Sequence, residues 1–166
     1  YDSGQLILIP EDDKDLAVTV EFRIKDEKNR SILAWTTTPW TLPGNVALAV
    51  HSDIDYVEIE KKDMGTGDLV RFILGKDRLS SIFPNDEYKI VEEYKGKELV
   101  GLKYEPLYPF LADKFNQKNK QQNPEAFEKA YQVYEADFVN TTDGTGVVHT
   151  AVMYGQDDFE LGTKVG

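Results

Sequence analysis

Alternation of apolar and polar side chains along the chain predicts a protein built mainly from β-strands. The clearest case is the segment 16–24, where Val18, Val20, Phe22 and Ile24 alternate with other residues as in a half-buried strand. Similar patterns predict further strands at 31–36, 46–50, 55–61, 69–74, 88–94, 131–139 and 147–150. Segment 46–50 is almost wholly apolar and is expected to be central, and 55–61 with 69–74 should form a hairpin.

Helical patterns are few and short. One helix is predicted over 76–83, ending before Pro84, and a second over 156–164, with a possible helical turn at 125–130. The polar run within 111–124 has no apolar periodicity and predicts a surface loop, while Ile90 and Val91 are expected to face inward. We therefore expect one domain over 1–166, mainly β with peripheral short helices (α+β), curled into a twisted β-barrel.

The segment 35–45 fits neither pattern. It reads Trp-Thr-Thr-Thr-Pro-Trp-Thr-Leu-Pro-Gly-Asn, and its prolines, Pro39 and Pro43, remove backbone donors and prevent a strand from continuing. A loop so rich in hydroxyl groups between two apolar strands can line a polar pocket. For such a run in isolation, the commoner interpretation is a serine/threonine-type turn covered by aromatic packing.

A second unusual stretch lies about a hundred residues later. Gly144-Thr145-Gly146 leads into a strand that carries His149, and Gly155 is followed by Asp157 and Asp158. A lone histidine is more often structural than catalytic, but glycines that allow close backbone approach make His149 a candidate pocket residue. Two acidic residues are also ordinary at a helix start, so the pattern alone leaves the role of this pair open.

Composition excludes several kinds of chemistry. The chain has no cysteine and two histidines, which excludes disulfides, thiolate nucleophiles and cysteine zinc sites and argues against a multi-histidine metal site. Its net charge of -11 is the wrong sign for holding nucleic acid by phosphate neutralisation alone. No apolar run approaches the roughly 20 residues needed to span a bilayer, so a soluble protein is expected. The absence of cysteine fits a reducing cytosol, and a cytoplasmic location is expected. The start at Tyr1 suggests an excised fragment.

The two stretches together resemble the editing (CP1) domain of isoleucyl-tRNA synthetase, a class Ia enzyme. The family motif Trp-Thr-Thr-Thr-Pro-Trp-Thr-Leu-Pro-x-Asn is matched at 35–45, Gly-Thr-Gly-x-Val-His-x-Ala at 144–151 and Gly-x-x-Asp at 155–158. The resemblance implies the barrel of that domain type and an aminoacyl-tRNA deacylase. Such an enzyme hydrolyses the ester of mischarged Val-tRNA(Ile) with a positioned water and excludes Ile-tRNA(Ile) by pocket size.

The resemblance also implies roles for individual residues. Thr37 and Thr38 would face the terminal adenosine and the scissile ester, and Asp158 would pair with the α-ammonium group of the amino acid. Trp40 would form a wall of the pocket, and His149 would shape its amino-acid side. The predicted catalytic residues are Thr37, Thr38 and Asp158, and the predicted substrate-binding residues are Thr36, Trp40, Thr41, Asn45, His149, Thr150 and Asp158.

No serine-histidine-acid or cysteine-histidine arrangement is recognisable, which argues against a covalent intermediate. Editing should need no cofactor or metal, since ATP and a divalent metal would belong to a synthetic domain elsewhere in the parent enzyme. The expected partners are the 3′ terminal adenosine of Val-tRNA(Ile) and the remainder of that synthetase, with the isolated domain monomeric and free of membrane contact.

Three other interpretations stay open at this level. The valyl- and leucyl-tRNA synthetase editing domains share the fold, but they typically carry Thr-Thr-Arg-Pro-Glu-Thr, against which Thr38, Trp40 and His149 argue. A non-catalytic module that docks the tRNA end predicts damaged motifs, whereas both motifs are intact. A generic acidic β-rich interaction domain is favoured only by composition.

Overall fold

The computed structural model describes residues 6–8, 17–109 and 129–151, together with the single positions 113 and 117. The strands are β1 (Leu6–Leu8), β2 (Val18–Arg23), β3 (Arg30–Thr36), β4 (Ala47–Val50), β5 (Asp55–Lys62), β6 (Leu69–Gly75), β7 (Tyr88–Lys95), β8 (Gln132–Glu135) and β9 (Val148–Thr150). The helices are α1 (Leu79–Ile82), α2 (Gly96–Leu99) and the 3₁₀ helices Pro39–Gly44 and Lys76–Arg78. The prediction of a mainly β protein with short helices is confirmed.

Strand β3 is the centre of the sheet because three strands pair with it. β2 runs antiparallel along one edge, with Phe22 opposite Ile32. The other edge is divided, since the start of β3 pairs with β6 and Trp35 near its end pairs with Val148 of β9, both in parallel orientation. β4 lies between β9 and β8 and is buried at every position, which confirms its predicted central place.

The segment 101–105 closes part of the sheet into a ring. It bridges Ile24, next to β2, through Tyr104, and it bridges Gln132 of β8 through Lys103. Backbone hydrogen bonds from Lys25 N to Lys103 O and from Tyr104 N to Tyr131 O, both 3.0 Å long, hold it on its two sides. The sheet therefore curls into the predicted barrel, with β2, β3, β9, β4, β8 and this segment around it.

The interior of the ring holds the main hydrophobic core. Phe22 and Tyr104 meet there edge to face, with ring centroids 5.2 Å apart. A second core lies where α1 packs on the sheet; it comprises Leu33, Val57, Ile59, Phe72, Leu74, Leu79 and Phe83. β3 therefore buries apolar side chains on both faces, with Ile32 and Ala34 in the main core and Leu33 in the second, directly before the loop that follows it.

Strand β7 corrects one prediction. Ile90 was expected to face inward with Val91, but 43% of Ile90 is exposed. The pairing of β7 with β5 shifts between Glu58 and Ile59, so that Ile59 lies opposite Ile90 and Glu58 lies opposite Glu92. This bulge leaves Val91 as the extra residue and changes which side chains face the sheet, a change that alternation alone does not predict.

Some predicted boundaries also differ. The strand predicted at 131–139 ends at Glu135, and the helix predicted at 76–83 begins as the 3₁₀ helix Lys76–Arg78. The predicted helix over 156–164 and most of the predicted loop at 111–124 lie outside the described residues. Within the described part of the chain, no helix has the length and apolar character needed to cross a membrane.

Candidate functional site

The threonine-rich segment leaves β3 as a turn followed by a 3₁₀ helix. The Thr36 hydroxyl accepts a hydrogen bond of 3.0 Å from the Thr38 backbone N–H, which is the expected serine/threonine-type turn. Pro39 then begins the 3₁₀ helix. Thr41 makes two hydrogen bonds to the Thr38 carbonyl, one from its backbone N–H at 2.9 Å and one from its hydroxyl at 2.7 Å. The segment is thus both a turn and a rigid array of hydroxyl groups.

Strand β9 brings the second motif to this loop. It lies between β3 and β4, with Val148 paired to Trp35 and His149 paired to Leu48. Because β3 leads into the threonine segment and β4 follows it, a side chain on β9 lies beside both ends of the loop. The described part of the second stretch therefore lies against the first, although the two are about a hundred residues apart in sequence.

His149 joins the two stretches through both of its ring nitrogens. Its Nε2 lies 2.9 Å from Thr41 Oγ1, and its Nδ1 lies 2.8 Å from Asn45 Nδ2. Only 6% of the residue is exposed. Burial lowers the pKa of His149 from 6.5 to about 4, because an imidazolium would lose its hydration there. The ring is consequently neutral at pH 7.

Asn45 is held on every side by protein atoms. Its Nδ2 donates to the Ala47 carbonyl at 3.0 Å as well as facing His149, and its Oδ1 accepts from the Tyr104 hydroxyl at 2.6 Å. Burial raises the pKa of Tyr104 well above its usual value, so the phenol keeps its proton. Tyr104 was not predicted as a site residue; its sequence context suggested only packing.

The glycine turn before β9 is fitted closely to its surroundings. Gly144 has a φ of +67°, and a side-chain carbon there would lie 2.7 Å from the indole ring of Trp35. The Arg78 guanidinium donates to the Gly144 carbonyl at 2.7 Å and to the Thr142 carbonyl at 3.1 Å. Arg78 was not predicted either, since nothing in the sequence around it marks a contact with a turn 66 residues away.

The predicted site residues differ in exposure. Thr36, Thr41, Asn45, His149 and Thr150 are buried, and the Thr150 hydroxyl donates to the Ala47 carbonyl at 3.0 Å. Thr38 is half-buried and Thr37 is exposed. Trp40 is 74% exposed, so within the described residues its indole is open to solvent beside the loop. Asp157 and Asp158 lie outside the described residues, and their roles stay predictions.

The contacts around His149 are made by neutral groups. Hydroxyls, an amide and a neutral imidazole can bind a ribose and an ester and can donate to a developing oxyanion. The Thr38 hydroxyl lies 3.3 Å from the hydroxyls of both Thr36 and Thr41, which is longer than the usual O–H···O distance of about 2.8 Å. It is the loosely held hydroxyl of this group. No cluster of three or more metal-ligating side chains occurs in the described ranges.

Comparison with known sequences shows that the chain belongs to the isoleucine–tRNA ligase family. Over 154 residues the chain is 47% identical to isoleucine–tRNA ligase of Clostridium novyi, and over 160 residues it is 40% identical to the cytoplasmic isoleucine–tRNA ligase of Saccharomyces cerevisiae. These alignments cover 92% and 93% of the chain and 13% of each relative. The chain therefore spans about one eighth of the length of the curated relatives it matches. No family model matches.

Comparison with solved structures supports the fold independently. The GlLeuRS-CP1 crystal structure aligns with a TM-score of 0.66 at 14% identity, covering 90% of the chain and 60% of that structure. The Plasmodium knowlesi cytosolic leucyl-tRNA synthetase editing domain aligns with a TM-score of 0.62 at 15% identity, covering 88% and 62%. At such low identity the likeness concerns the fold alone.

Proposed function

The chain is homologous to one segment of isoleucine–tRNA ligases and has the fold of synthetase editing domains, and from this premise we propose that it hydrolyses mischarged Val-tRNA(Ile). The observation that carries the proposal is the meeting of the two motifs at His149, which contacts Thr41 and Asn45. In the proposed reaction, water attacks the ester carbon and the ribose hydroxyl of the terminal adenosine leaves.

The neutral site supports direct attack by water. The pKa of His149, lowered to about 4, keeps its ring uncharged at pH 7, and both of its nitrogens are engaged by protein groups. Catalysis then rests on orientation of the ester and on hydroxyl and backbone donors aimed at the oxyanion. Thr37 and Thr38 are proposed to supply these contacts, and Asp158 is proposed to hold the substrate's α-ammonium group.

Selectivity is proposed to come from the size of the pocket. A synthetic site shaped for isoleucine cannot strongly reject valine, which is one methylene smaller, and isoleucyl-tRNA synthetase is itself the standard example of this limit. A second site that admits valine and excludes isoleucine removes the error. The buried His149 ring is locked in place, as an excluding wall requires, and the exposed Trp40 is available at the edge of the loop.

The proposed setting is a larger cytoplasmic synthetase. Because the chain corresponds to 13% of its relatives, the rest of such an enzyme would hold the tRNA and present only the acylated 3′ end. A net charge of -11 agrees with this division of labour, since an acidic domain binds a polyanion poorly by itself. No cofactor is proposed for the hydrolysis, and ATP and a divalent metal are assigned to the synthetic domain.

Deacylation measured inside the parent synthetase tests the proposal. Wild-type enzyme should release valine from Val-tRNA(Ile) and leave Ile-tRNA(Ile) intact, and Asp158→Ala should abolish the release because the ammonium loses its carboxylate. The matched control is Asp157→Ala, which removes the neighbouring carboxylate and should retain activity. Equal rates for wild type and Asp158→Ala would exclude Asp158 from the mechanism. Absence of hydrolysis by wild type would favour the non-catalytic docking module.

A further inference from the structure

The hydrogens around His149 can be assigned from the atoms that face one another. Asn45 Nδ2 lies 2.8 Å from His149 Nδ1, and an amide nitrogen only donates, so Nδ1 must present its lone pair. The opposite orientation of the amide would place Oδ1 3.0 Å from the Ala47 carbonyl, two acceptors in contact. A neutral imidazole with a bare Nδ1 carries its proton on Nε2.

The contact of the second ring nitrogen, Nε2, with Thr41 leads to the same assignment. The Thr41 hydroxyl has one hydrogen, which it donates to the Thr38 carbonyl at 2.7 Å. It can therefore only accept at the 2.9 Å contact with His149 Nε2, which must carry the proton. Two independent arguments, one from each ring nitrogen, select one tautomer.

We propose that Asn45 is a positioning residue that sets this tautomer of His149. Tyr104 anchors the amide by donating to Oδ1 at 2.6 Å, and thereby links the barrel-closing segment to the threonine loop. The imidazole in turn keeps the Thr41 hydroxyl directed at the Thr38 carbonyl. In this proposal Asn45 acts through His149 rather than by contacting the substrate, which is the role that the sequence predicts for it.

The consequence for the reaction, which rests on the function proposed above, concerns the Thr38 hydroxyl. With the Thr41 hydrogen committed to the Thr38 carbonyl, the Thr38 hydroxyl retains only its two 3.3 Å neighbours. Together with the exposed Thr37 hydroxyl, it is free of strong hydrogen bonds among the described residues and can turn to a bound ester. In the other tautomer, the Thr41 hydroxyl would donate to Nε2, and the Thr38 carbonyl would keep only the 2.9 Å hydrogen bond from the Thr41 backbone N–H.

Nitrogen-15 NMR of the 166-residue chain labelled with [15N]histidine tests the tautomer directly. The sequence has only two histidines, so a His51→Gln variant assigns the signals of His149. At pH 7 we expect Nε2 protonated and Nδ1 bare, read from the two-bond couplings to the ring hydrogens. Protonation at Nδ1, in either the other tautomer or an imidazolium, would overturn the proposal without any variant of the site.

The near-isosteric Asn45→Asp variant tests whether Asn45 is the cause. A carboxylate cannot donate to Nδ1, so the His149 proton should be found on Nδ1 in this variant. A spectrum that still shows protonation at Nε2 alone would refute control by Asn45. If the variant does not fold, the wild-type spectrum still decides the tautomer.

Kinetics in the parent synthetase separate positioning from substrate contact. For Val-tRNA(Ile), Asn45→Asp should lower kcat roughly ten- to hundred-fold, as a misplaced loop does, with KM nearly unchanged. A raised KM with unchanged kcat would instead mark Asn45 as a substrate contact and refute the proposal. Wild-type enzyme without deacylase activity would refute the proposed function, while the NMR result would stand independently.

Discussion

Lowering the pH should destabilise the domain through His149. The folded protein holds this ring neutral with a pKa of about 4, against 6.5 for an ordinary histidine. Between these values the unfolded chain binds a proton that the folded chain does not, so unfolding is favoured as the pH falls. The stabilisation from this group is complete above pH 6.5 and is lost progressively towards pH 4.

The size of the effect follows from the same pair of values. One pKa unit corresponds to roughly 1.4 kcal/mol, so the difference between 6.5 and about 4 amounts to about 3 kcal/mol in full. Between pH 7.5 and pH 5, the free energy of unfolding should fall by about 2 kcal/mol through His149 alone. That is a large share of the roughly 5–15 kcal/mol by which a domain is usually stable.

Urea unfolding at a series of pH values between 7.5 and 4.5 measures this loss. His149→Gln places an amide at the site that cannot titrate. The difference in free energy of unfolding between wild type and this variant should therefore shrink as the pH falls. His51→Gln, which removes the other histidine, is the matched control variant. A wild-type curve parallel to that of His149→Gln over the whole range would refute the buried, neutral imidazole.

Two further substitutions test the packing around the site. Gly144→Ala should lower the thermal unfolding temperature more than Gly101→Ala, because both glycines have a positive φ but only Gly144 would meet Trp35, whereas Gly101 faces open space. An equal fall in unfolding temperature for both variants would mean that the positive φ, and not the contact with Trp35, causes the destabilisation. Tyr104→Phe leaves Asn45 Oδ1 buried without its donor and should cost about 1–3 kcal/mol in urea unfolding. An unchanged unfolding midpoint would contradict that bond.

The local pattern of apolar and polar residues predicted the strands well where the exposure of their side chains does not depend on an irregular pairing. β4 is apolar throughout and lies between two strands, as expected. In β2, Val18, Val20 and Phe22 are buried as their alternation predicts, but Thr19 between them is buried as well. β7 was mispredicted at Ile90 because its bulge depends on the pairing with β5, which no local pattern encodes. The strand predicted at 131–139 was too long, since the chain turns after Glu135 where pairing with β4 ends.

Some residues of the candidate site could be predicted from local sequence motifs, and others could not. The motifs singled out Thr38, Thr41 and His149 as candidates, because hydroxyls confined by prolines and a histidine after glycines are unusual in a strand-rich chain, and their roles stay predictions. Tyr104 and Arg78 were not predicted, because their contacts are with residues far away in the sequence. The Tyr104 hydroxyl donates to Asn45 and the Arg78 guanidinium donates to the Gly144 carbonyl, and the sequence around neither residue indicates this. The substrate contact expected of Asn45 stays a prediction, and the structure adds that its side-chain polar atoms contact protein partners.

The strand-rich class, the two motifs and the kind of chemistry they favour could be predicted from the sequence, because they depend on residue types and short spacings. The entry of β9 between β3 and β4, which places His149 between Thr41 and Asn45, depends on long-range strand pairing and became visible in the fold. The fold also decided the protonation of that ring, since a pKa depends on burial and on hydrogen-bond partners from distant parts of the chain. Periodicity reports which face of a strand is buried, and the identity of the neighbours is set by the pairing of the strands.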